Sequence, residues 1–193
     1  MNIEHIFSNF LAVEKLSVDN AALLDYASRR VIYDRQIRND TCSQSNFLDL
    51  TQPVIKNLVA IVEQKFNELH AGIGLSTSYV QRVSEAWVNI NNNLNIDNPH
   101  CHPGSIFSAV YYVNANHNSS NLIFMNPDKS MCHTIHPVLV DKFNCLNSHN
   151  YKVVPAAGDL IIFPAHLDHY VHTNSSTVDR VSIAFNSKVT KIN

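Results

Sequence analysis

Apolar residues in the first part of the chain have helical spacing. They recur about three or four residues apart over residues 18–34 and again over 51–72, which is the pattern of an amphipathic helix. Thr51 can cap the second helix and Pro53 suits its first turn, while Gly72 suits the left-handed position at its end. We expect both apolar stripes to pack against a sheet.

From residue 79 onward the pattern is that of short strands separated by turns. The runs have strand length and recur at fairly regular spacing. The predicted strands cover 79–90, 105–114, 122–125, 151–154, 160–163 and 180–189. Residues 3–16 allow one further strand, and residues 35–50 and 128–150 are interpreted as loops. Several short strands after two helices predict an antiparallel barrel or sandwich with the helices on one side.

Size and composition indicate one globular domain. The 193 residues are 45% hydrophobic and 16% charged, so the chain is long and apolar enough to bury a core. We expect residues 1–75 to form a helical support and residues 79–189 a β-rich core. The formal net charge of −2 provides no basic surface for nucleic acid or for an anionic membrane.

Cysteine usage and the start of the chain suggest the compartment. The four cysteines contain no CxxC pair, which favours free thiols in a reducing environment over a disulfide framework. The first residues lack the basic and apolar regions of a signal peptide, and no apolar run is long enough to span a membrane. We therefore expect a cytoplasmic protein that binds neither membrane nor nucleic acid.

Three histidines stand where the strands of a small barrel can direct them at one metal ion. His100 and His102 are two residues apart, just before the strand at 105–114, so on an extended chain they face the same side. His169 follows the strand at 160–163. Imidazole suits Fe(II), and three ligands on one face of the ion leave positions open for co-substrate and oxygen.

The third ligand has two interpretations. The usual facial triad of non-haem iron oxygenases contains two histidines and one carboxylate, but the position two residues after His100 holds His102. Either His102 is itself the third ligand, or a carboxylate such as Asp97 or Asp159 completes the site. We prefer His102, because Asp97 lies three residues before His100 and would not share its face. The alternative to a metal site is that His100 and His102 are ordinary loop residues between prolines.

The other histidines are expected to have no direct role. His166 and His172 flank His169 and are predicted at the surface or behind the ligands. Four more lie in turn-like stretches and are interpreted as non-functional: His117, His133, His136 and His149.

An arginine opens the last predicted strand. Arg180 and Ser182 share one face of that strand, and the planar guanidinium can bind both oxygens of a carboxylate. A bound dianion such as 2-oxoglutarate would give an arginine inside a barrel a compensating charge. The alternative is that Arg180 lies at the rim, paired with Asp179 or another surface carboxylate.

A hydroxyl-bearing face on the strand at 105–114 would point the same way. Ser108 and Tyr112 share it, and the Tyr112 hydroxyl could donate to the same carboxylate. Tyr112 could equally be a buried aromatic residue with another acceptor. We include Ser108, Tyr112, Arg180 and Ser182 as candidate contacts of the co-substrate.

These motifs, taken in order, resemble the 2-oxoglutarate/Fe(II) oxygenases found in marine bacteria and phages and, more distantly, the prolyl hydroxylases. The resemblance covers roughly residues 79–189. It rests on Trp87 and on the motifs at 100–103, 108–113, 155–164, 169–171 and 180–186. The resemblance implies a double-stranded β-helix barrel of the jelly-roll, cupin-like type.

The resemblance also implies the site. Iron would lie on His100, His102 and His169, and Arg180 would hold 2-oxoglutarate with help from Tyr112. The wider superfamily has a carboxylate where His102 stands, so the triad departs from the common pattern. Glycine would be expected in this family at two further positions, which here are Ala109 and Asn121.

The expected activity is that of an Fe(II)- and 2-oxoglutarate-dependent dioxygenase that hydroxylates a substrate and releases succinate and CO2. A second hypothesis is a three-histidine dioxygenase that acts without 2-oxoglutarate, with Arg180 binding the substrate's own carboxylate. A third is a non-catalytic barrel that binds a ligand or partner. The expected partner is a small-molecule or peptide substrate, and we allow for a homodimer.

Overall fold

Two antiparallel sheets face each other across a cavity, and long helices cover the outer side of the larger sheet. The computed structural model describes residues 2, 6–38, 48–49, 51–91, 97–116, 118–119, 121–172 and 176–192. The strands are β1 (Ala12–Lys15), β2 (Tyr79–Asn91), β3 (Asp97–His100), β4 (Phe107–Asn114), β5 (Leu122–Met125), β6 (Asn150–Val153), β7 (Asp159–Pro164), β8 (His169–Val171) and β9 (Arg180–Lys191). The helices are α1 (Asn20–Arg38), α2 (Pro53–Gly72) and the short α3 (Lys129–Thr134), with a 3-10 turn at Pro137–Leu139.

The strand order is that of a double-stranded β-helix. The larger sheet has the order β1-β7-β4-β9-β2 and the smaller sheet β3-β8-β5-β6, with antiparallel pairing throughout. Sequential strands thus alternate between the sheets for much of the chain, which closes the two sheets around a shared interior. The predicted fold class is confirmed.

Alternation along the central strands separates the core from the cavity. On β4 and on residues 180–186 of β9 the odd-numbered residues pack under α1 and α2, in a cluster that includes Tyr111, Ile183 and Phe185. The even-numbered residues line the cavity between the sheets, among them Tyr112 and Ser182. Because strand side chains have a period of two, one pair of strands builds an apolar core and a polar cavity at once.

Helix α1 begins as a capped helix and runs further than predicted. Asp19 Oδ1 accepts a hydrogen bond from the Ala22 amide at 3.0 Å, which satisfies one of the free donors of the first turn. The helix continues to Arg38, so the predicted loop at 35–50 begins later. Residues 39–47 and 50 of that loop lie outside the described residues.

Both predicted end signals of α2 are corrected. Gln52, not Thr51, precedes the first helical residue, and no side chain caps the helix. Thr51 is held instead by Asp49, whose Oδ1 accepts from the Thr51 amide at 2.9 Å. The left-handed glycine is Gly74, with φ of 76°, because Gly72 is itself the last helical residue and Ile73 caps the helix.

Sequence patterns do not predict β3 and β8, and they assign α3 and the 3-10 turn to a loop. The two strands have three or four residues each, and β3 contains Pro99, so neither has a measurable apolar period. They form by pairing: β8 lies between β5 and β3, and His100 of β3 is opposite His169 of β8. In the described part of the chain no helix has the length and apolarity needed to cross a membrane.

We predict that Phe66→Ala destabilises the fold without touching the cavity. Phe66 is fully buried and stacks on Phe107, with ring centroids 5.9 Å apart. Loss of a buried phenylalanine ring costs about 3–5 kcal/mol, which denaturant unfolding measures. Val138→Ala, at a side chain that is 81% exposed, should stay within about 0.5 kcal/mol of wild type, and equal effects of the two changes would contradict the assignment of the core.

Candidate active site

Three histidines meet at one end of the cavity. His100 is the last residue of β3 and His169 the first of β8, and the two face each other in the strand register. His102 lies beyond the end of β3, where its amide donates to the Ala165 carbonyl at 2.9 Å. The expectation that His100 and His102 share one strand is therefore wrong, although the backbone still brings their rings together.

The three rings are close enough to share an ion. Each of His100, His102 and His169 offers one ring nitrogen as a ligand, and these three nitrogens lie within 4.8 Å of one another. The ring centroids are 4.4–5.2 Å apart. A metal bound at about 2.1 Å keeps two imidazole nitrogens no more than about 4.2 Å apart. Small ring rotations would bring the set onto one ion.

Backbone carbonyls orient two of the rings. His100 Nδ1–H donates to the Asn98 carbonyl at 2.7 Å, and His169 Nδ1–H donates to the Leu167 carbonyl at 2.9 Å. With the proton on Nδ1, the lone pair of each ring is on Nε2. Such hydrogen bonds fix the tautomer and orientation of histidines that bind metals.

Burial keeps two of the rings neutral. It is the largest cause that lowers the pKa of His102 to about 4, with the neighbouring His100 second, and it likewise lowers the pKa of His169 to about 4. The His169 ring is flanked by Phe163 and Phe124, at centroid distances of 4.8 and 5.9 Å. Near neutral pH both rings therefore present the unprotonated form that a metal requires.

Asn186 holds His102 and was assigned no role from the sequence. Its Nδ2 lies 3.4 Å from His102 Nδ1 and donates to Glu85 Oε2 at 3.0 Å, while its Oδ1 accepts from Ser108 Oγ at 2.8 Å. The alternation that places Arg180 and Ser182 in the cavity extends to Asn186, so the sequence could have predicted that Asn186 faces inward. Glu85 could not be found that way, because its position depends on a bulge in β2.

The opposite end of the cavity is built around a buried cation. Arg180 is 2% exposed, and its Nη2 donates to Asn91 Oδ1 at 2.8 Å. The guanidinium carbon lies 5.7 Å from the centre of the Tyr112 ring, within the range of a cation–π contact. The alternative of a rim arginine paired with Asp179 does not describe this residue.

Polar atoms beside Arg180 suit a bound carboxylate. Among the described residues, Ser182 Oγ is a buried hydroxyl that has no hydrogen-bond partner. Burial raises the pKa of Tyr112 to about 12, so its hydroxyl stays a donor. A buried hydroxyl without a partner is costly, and a ligand carboxylate next to Arg180 would satisfy it.

The two alternative carboxylates do not join the histidines. Asp159 pairs with Lys15 at 3.1 Å and accepts from the Ala156 amide at 2.7 Å. Asp97 does line the cavity, but at the arginine end, with Oδ2 3.9 Å from Arg180 Nη2. Within the described ranges, the cluster of potential metal ligands consists of His100, His102 and His169.

One cavity, which opens to solvent, runs between these two ends. Its walls carry three imidazoles at one end and a guanidinium at the other, joined by rows of cavity-facing residues on β2, β4 and β9. The donor set fits a divalent ion of the Fe(II) type, and the guanidinium with its neighbouring hydroxyls fits a carboxylate. The two ends together fit a metal ion and an acid that reaches from this ion to the Arg180 guanidinium.

A family model described as "Putative 2OG-Fe(II) oxygenase" matches residues 85–186, more than half of the chain. The chain belongs to this family. It is therefore an oxygenase that depends on Fe(II) and 2-oxoglutarate, and the matched span includes every residue of the two ends of the cavity described above.

Solved structures share the fold of this 2OG-Fe(II) oxygenase at low sequence identity. The epimerase SnoN from nogalamycin biosynthesis, described as non-heme and alpha ketoglutarate dependent, matches with a TM-score of 0.65 at 13% identity, over 96% of this chain and 82% of that chain. A Pseudomonas putida prolyl-4-hydroxylase matches with a TM-score of 0.61 at 17% identity, over 94% of both chains. HygX from Streptomyces hygroscopicus, with nickel and 2-oxoglutarate bound, matches with a TM-score of 0.59 at 11% identity, over 92% of this chain and 82% of that chain.

No curated protein matches the chain. The family match and the shared fold therefore define the enzyme class, and the individual residues of the oxygenase are assigned from its own geometry.

We predict that His169→Ala abolishes stoichiometric metal binding by the oxygenase. The change removes one of three nitrogens from the cluster, whereas His166→Ala removes an exposed ring that contacts Asn9 at 3.1 Å. Anaerobic reconstitution with Fe(II), followed by elemental analysis, should give one ion per chain for wild type and His166→Ala and much less for His169→Ala. Full occupancy in His169→Ala would contradict the assignment.

Proposed function

We propose that the oxygenase binds Fe(II) through His100, His102 and His169 and anchors the far carboxylate of 2-oxoglutarate on Arg180. It hydroxylates a small-molecule or peptide substrate and releases succinate and CO2. The observation that carries this proposal is the cavity with three imidazoles at one end and a buried guanidinium at the other.

Iron and 2-oxoglutarate supply the oxidation of an unactivated C–H bond, and the chain supplies position and surroundings. The carbonyl-bound Nδ1 protons of His100 and His169 fix which nitrogen faces the ion. Phe124 and Phe163 pack on the His169 ring and limit the access of water to that side.

At the other end, Arg180 provides the charge for the far carboxylate. Ser182 Oγ and the Tyr112 hydroxyl are the further donors that we assign to it, on the basis of the orphaned Ser182 hydroxyl and the protonated state of Tyr112. Ser108, the fourth predicted contact, lies at the histidine end and donates to Asn186. We propose that Ser108 acts on the site through Asn186.

Residues 79–189 are proposed as the catalytic core and 1–75 as its support. Every residue assigned a role lies in the first range, whereas α1 and α2 supply apolar residues such as Leu23, Ile55 and Phe66 to the outer face of the larger sheet. We also propose a cytoplasmic location, in keeping with Cys101 and Cys145, which are not joined in disulfides. The homodimer stays a prediction that light scattering on the purified chain would check.

Succinate release tests the proposed reaction. We predict that wild-type enzyme reconstituted with Fe(II) converts 2-oxoglutarate to succinate, and that Arg180→Gln binds 2-oxoglutarate about 10- to 100-fold more weakly. The estimate is the loss of hydrogen bonds to a charged group, each of which contributes about 1.5–3 kcal/mol.

Arg82→Gln is the matched control, because Arg82 is about half exposed and pairs with Glu63. If Arg180→Gln binds 2-oxoglutarate as tightly as wild type, Arg180 does not anchor the co-substrate. Oxygen consumption without succinate would favour the three-histidine enzyme that acts without 2-oxoglutarate, and failure to bind iron would favour the non-catalytic barrel.

We also predict that the all-histidine site retains iron poorly without its co-substrate. Three neutral imidazoles leave the full +2 charge uncompensated, whereas 2-oxoglutarate adds a dianion to the same cavity. Titration of Fe(II) against a chelator, with and without 2-oxoglutarate, should show clearly tighter retention in its presence. Equal retention in both conditions would count against this account of the charge balance.

A further inference from the structure

The cation assigned to 2-oxoglutarate already has an acidic neighbour. Asp97, the first residue of β3, places Oδ2 3.9 Å from Arg180 Nη2, and the side chains are 24% and 2% exposed. Asp97 also lines the same cavity. Two carboxylates, one from the chain and one from the co-substrate, would therefore be directed at one guanidinium.

The contacts around Arg180 differ in how firmly they are held. Asn91 Oδ1 accepts from the same Nη2 at 2.8 Å, which is a normal hydrogen-bond length. The Asp97 oxygen is beyond that length, and its side chain is partly open to solvent. Asn91 is thus suited to fix the arginine in every state, and Asp97 is suited to approach or leave it.

We propose that Asp97 is a counter-carboxylate that neutralises Arg180 in the absence of co-substrate and competes with the far carboxylate of 2-oxoglutarate for it. The inference rests on the proposed function, since it requires Arg180 to anchor that carboxylate. It makes Asp97 a specificity-determining residue: its charge weakens the binding of diacids and has little effect on monoacids, which do not reach the guanidinium.

The same arrangement explains how a buried cation is tolerated in the co-substrate-free enzyme. A guanidinium that has lost its counter-ion inside a protein is strongly destabilising, and Asp97 is the carboxylate within ion-pair distance in the described residues. When 2-oxoglutarate arrives, a second negative charge enters within reach of the first, and the two repel. Removal of the Asp97 charge should therefore lower stability without co-substrate and raise affinity for it.

Binding can be followed through the only tryptophan in the sequence, Trp87, which lines the cavity beside the His102 ring at a centroid distance of 5.7 Å. The variants are Asp97→Asn, which removes the charge at similar size, and Asp97→Ser as a second charge-removing change. Asp179→Asn is the matched control, since it alters net charge equally at an exposed residue next to Arg180 in sequence. The probes, added to anaerobic Fe(II)-loaded enzyme, are 2-oxoglutarate and 2-oxobutanoate, which lacks the far carboxylate.

We expect both Asp97 variants to bind 2-oxoglutarate about fivefold more tightly or better, the lower end of typical coupling between interacting sites. Their affinity for 2-oxobutanoate should stay within about twofold of wild type, and Asp179→Asn should match wild type for both acids. Thermal unfolding gives a second readout: the Asp97 variants should melt lower than wild type without 2-oxoglutarate and gain more from its addition.

Several results would overturn the inference. If the Asp97 variants bind 2-oxoglutarate no more tightly than wild type while wild type still prefers the diacid, Asp97 is not a competitor and the proposed function stands. Equal tightening for both acids would mean a general charge effect. If wild type shows no preference for 2-oxoglutarate over 2-oxobutanoate, Arg180 is not the anchor, and the inference fails together with that part of the proposed function.

Discussion

A guanidinium buried to 2% exposure must be compensated, and the interior of this oxygenase is arranged around that requirement. Arg180 opens β9 facing inward, where Asn91, Tyr112 and Asp97 surround it with an acceptor, an aromatic face and a negative charge. A cation in this position attracts a carboxylate more strongly than one at the surface, because the low local dielectric reduces screening. The proposed co-substrate site thus depends on one charged residue placed on the inner face of a strand.

The larger sheet allows this polar interior because its other face carries the hydrophobic burial. Apolar residues on the outer face of β2, β4, β7 and β9 pack under α1 and α2 in one cluster. A smaller cluster between the sheets closes around the cavity and includes Phe124 and Phe163. Stability and chemistry therefore occupy opposite faces of the same strands, and a change such as Phe66→Ala acts on the first without altering the residues of the second.

The metal end departs from the common pattern of two histidines and a carboxylate. With His102 in the third position, negative charge is supplied less directly, by Glu85 through Asn186 at one end and by Asp97 beside Arg180 at the other. Neither carboxylate is within the cluster of ligand atoms. In the proposed site, more of the ion's charge would be balanced by the co-substrate, which would link the binding of iron to the binding of 2-oxoglutarate.

Sequence alone determined what depends on local period and residue chemistry: two long helices, the main strands, the candidate histidines and the inward face shared by Arg180 and Ser182. Only the tertiary structure decided which residues meet, because β3 and β8 are too short to have a period and form by pairing with neighbouring strands, β8 with β5 and β3, and β3 with β8. That pairing brings His100 to His169, and the register of β2 with β9 brings Asn91 to Arg180. The position of Asp97 beside the arginine rather than the histidines has the same cause. Contacts between distant strands depend on the register of their pairing, which the sequence of one strand does not determine.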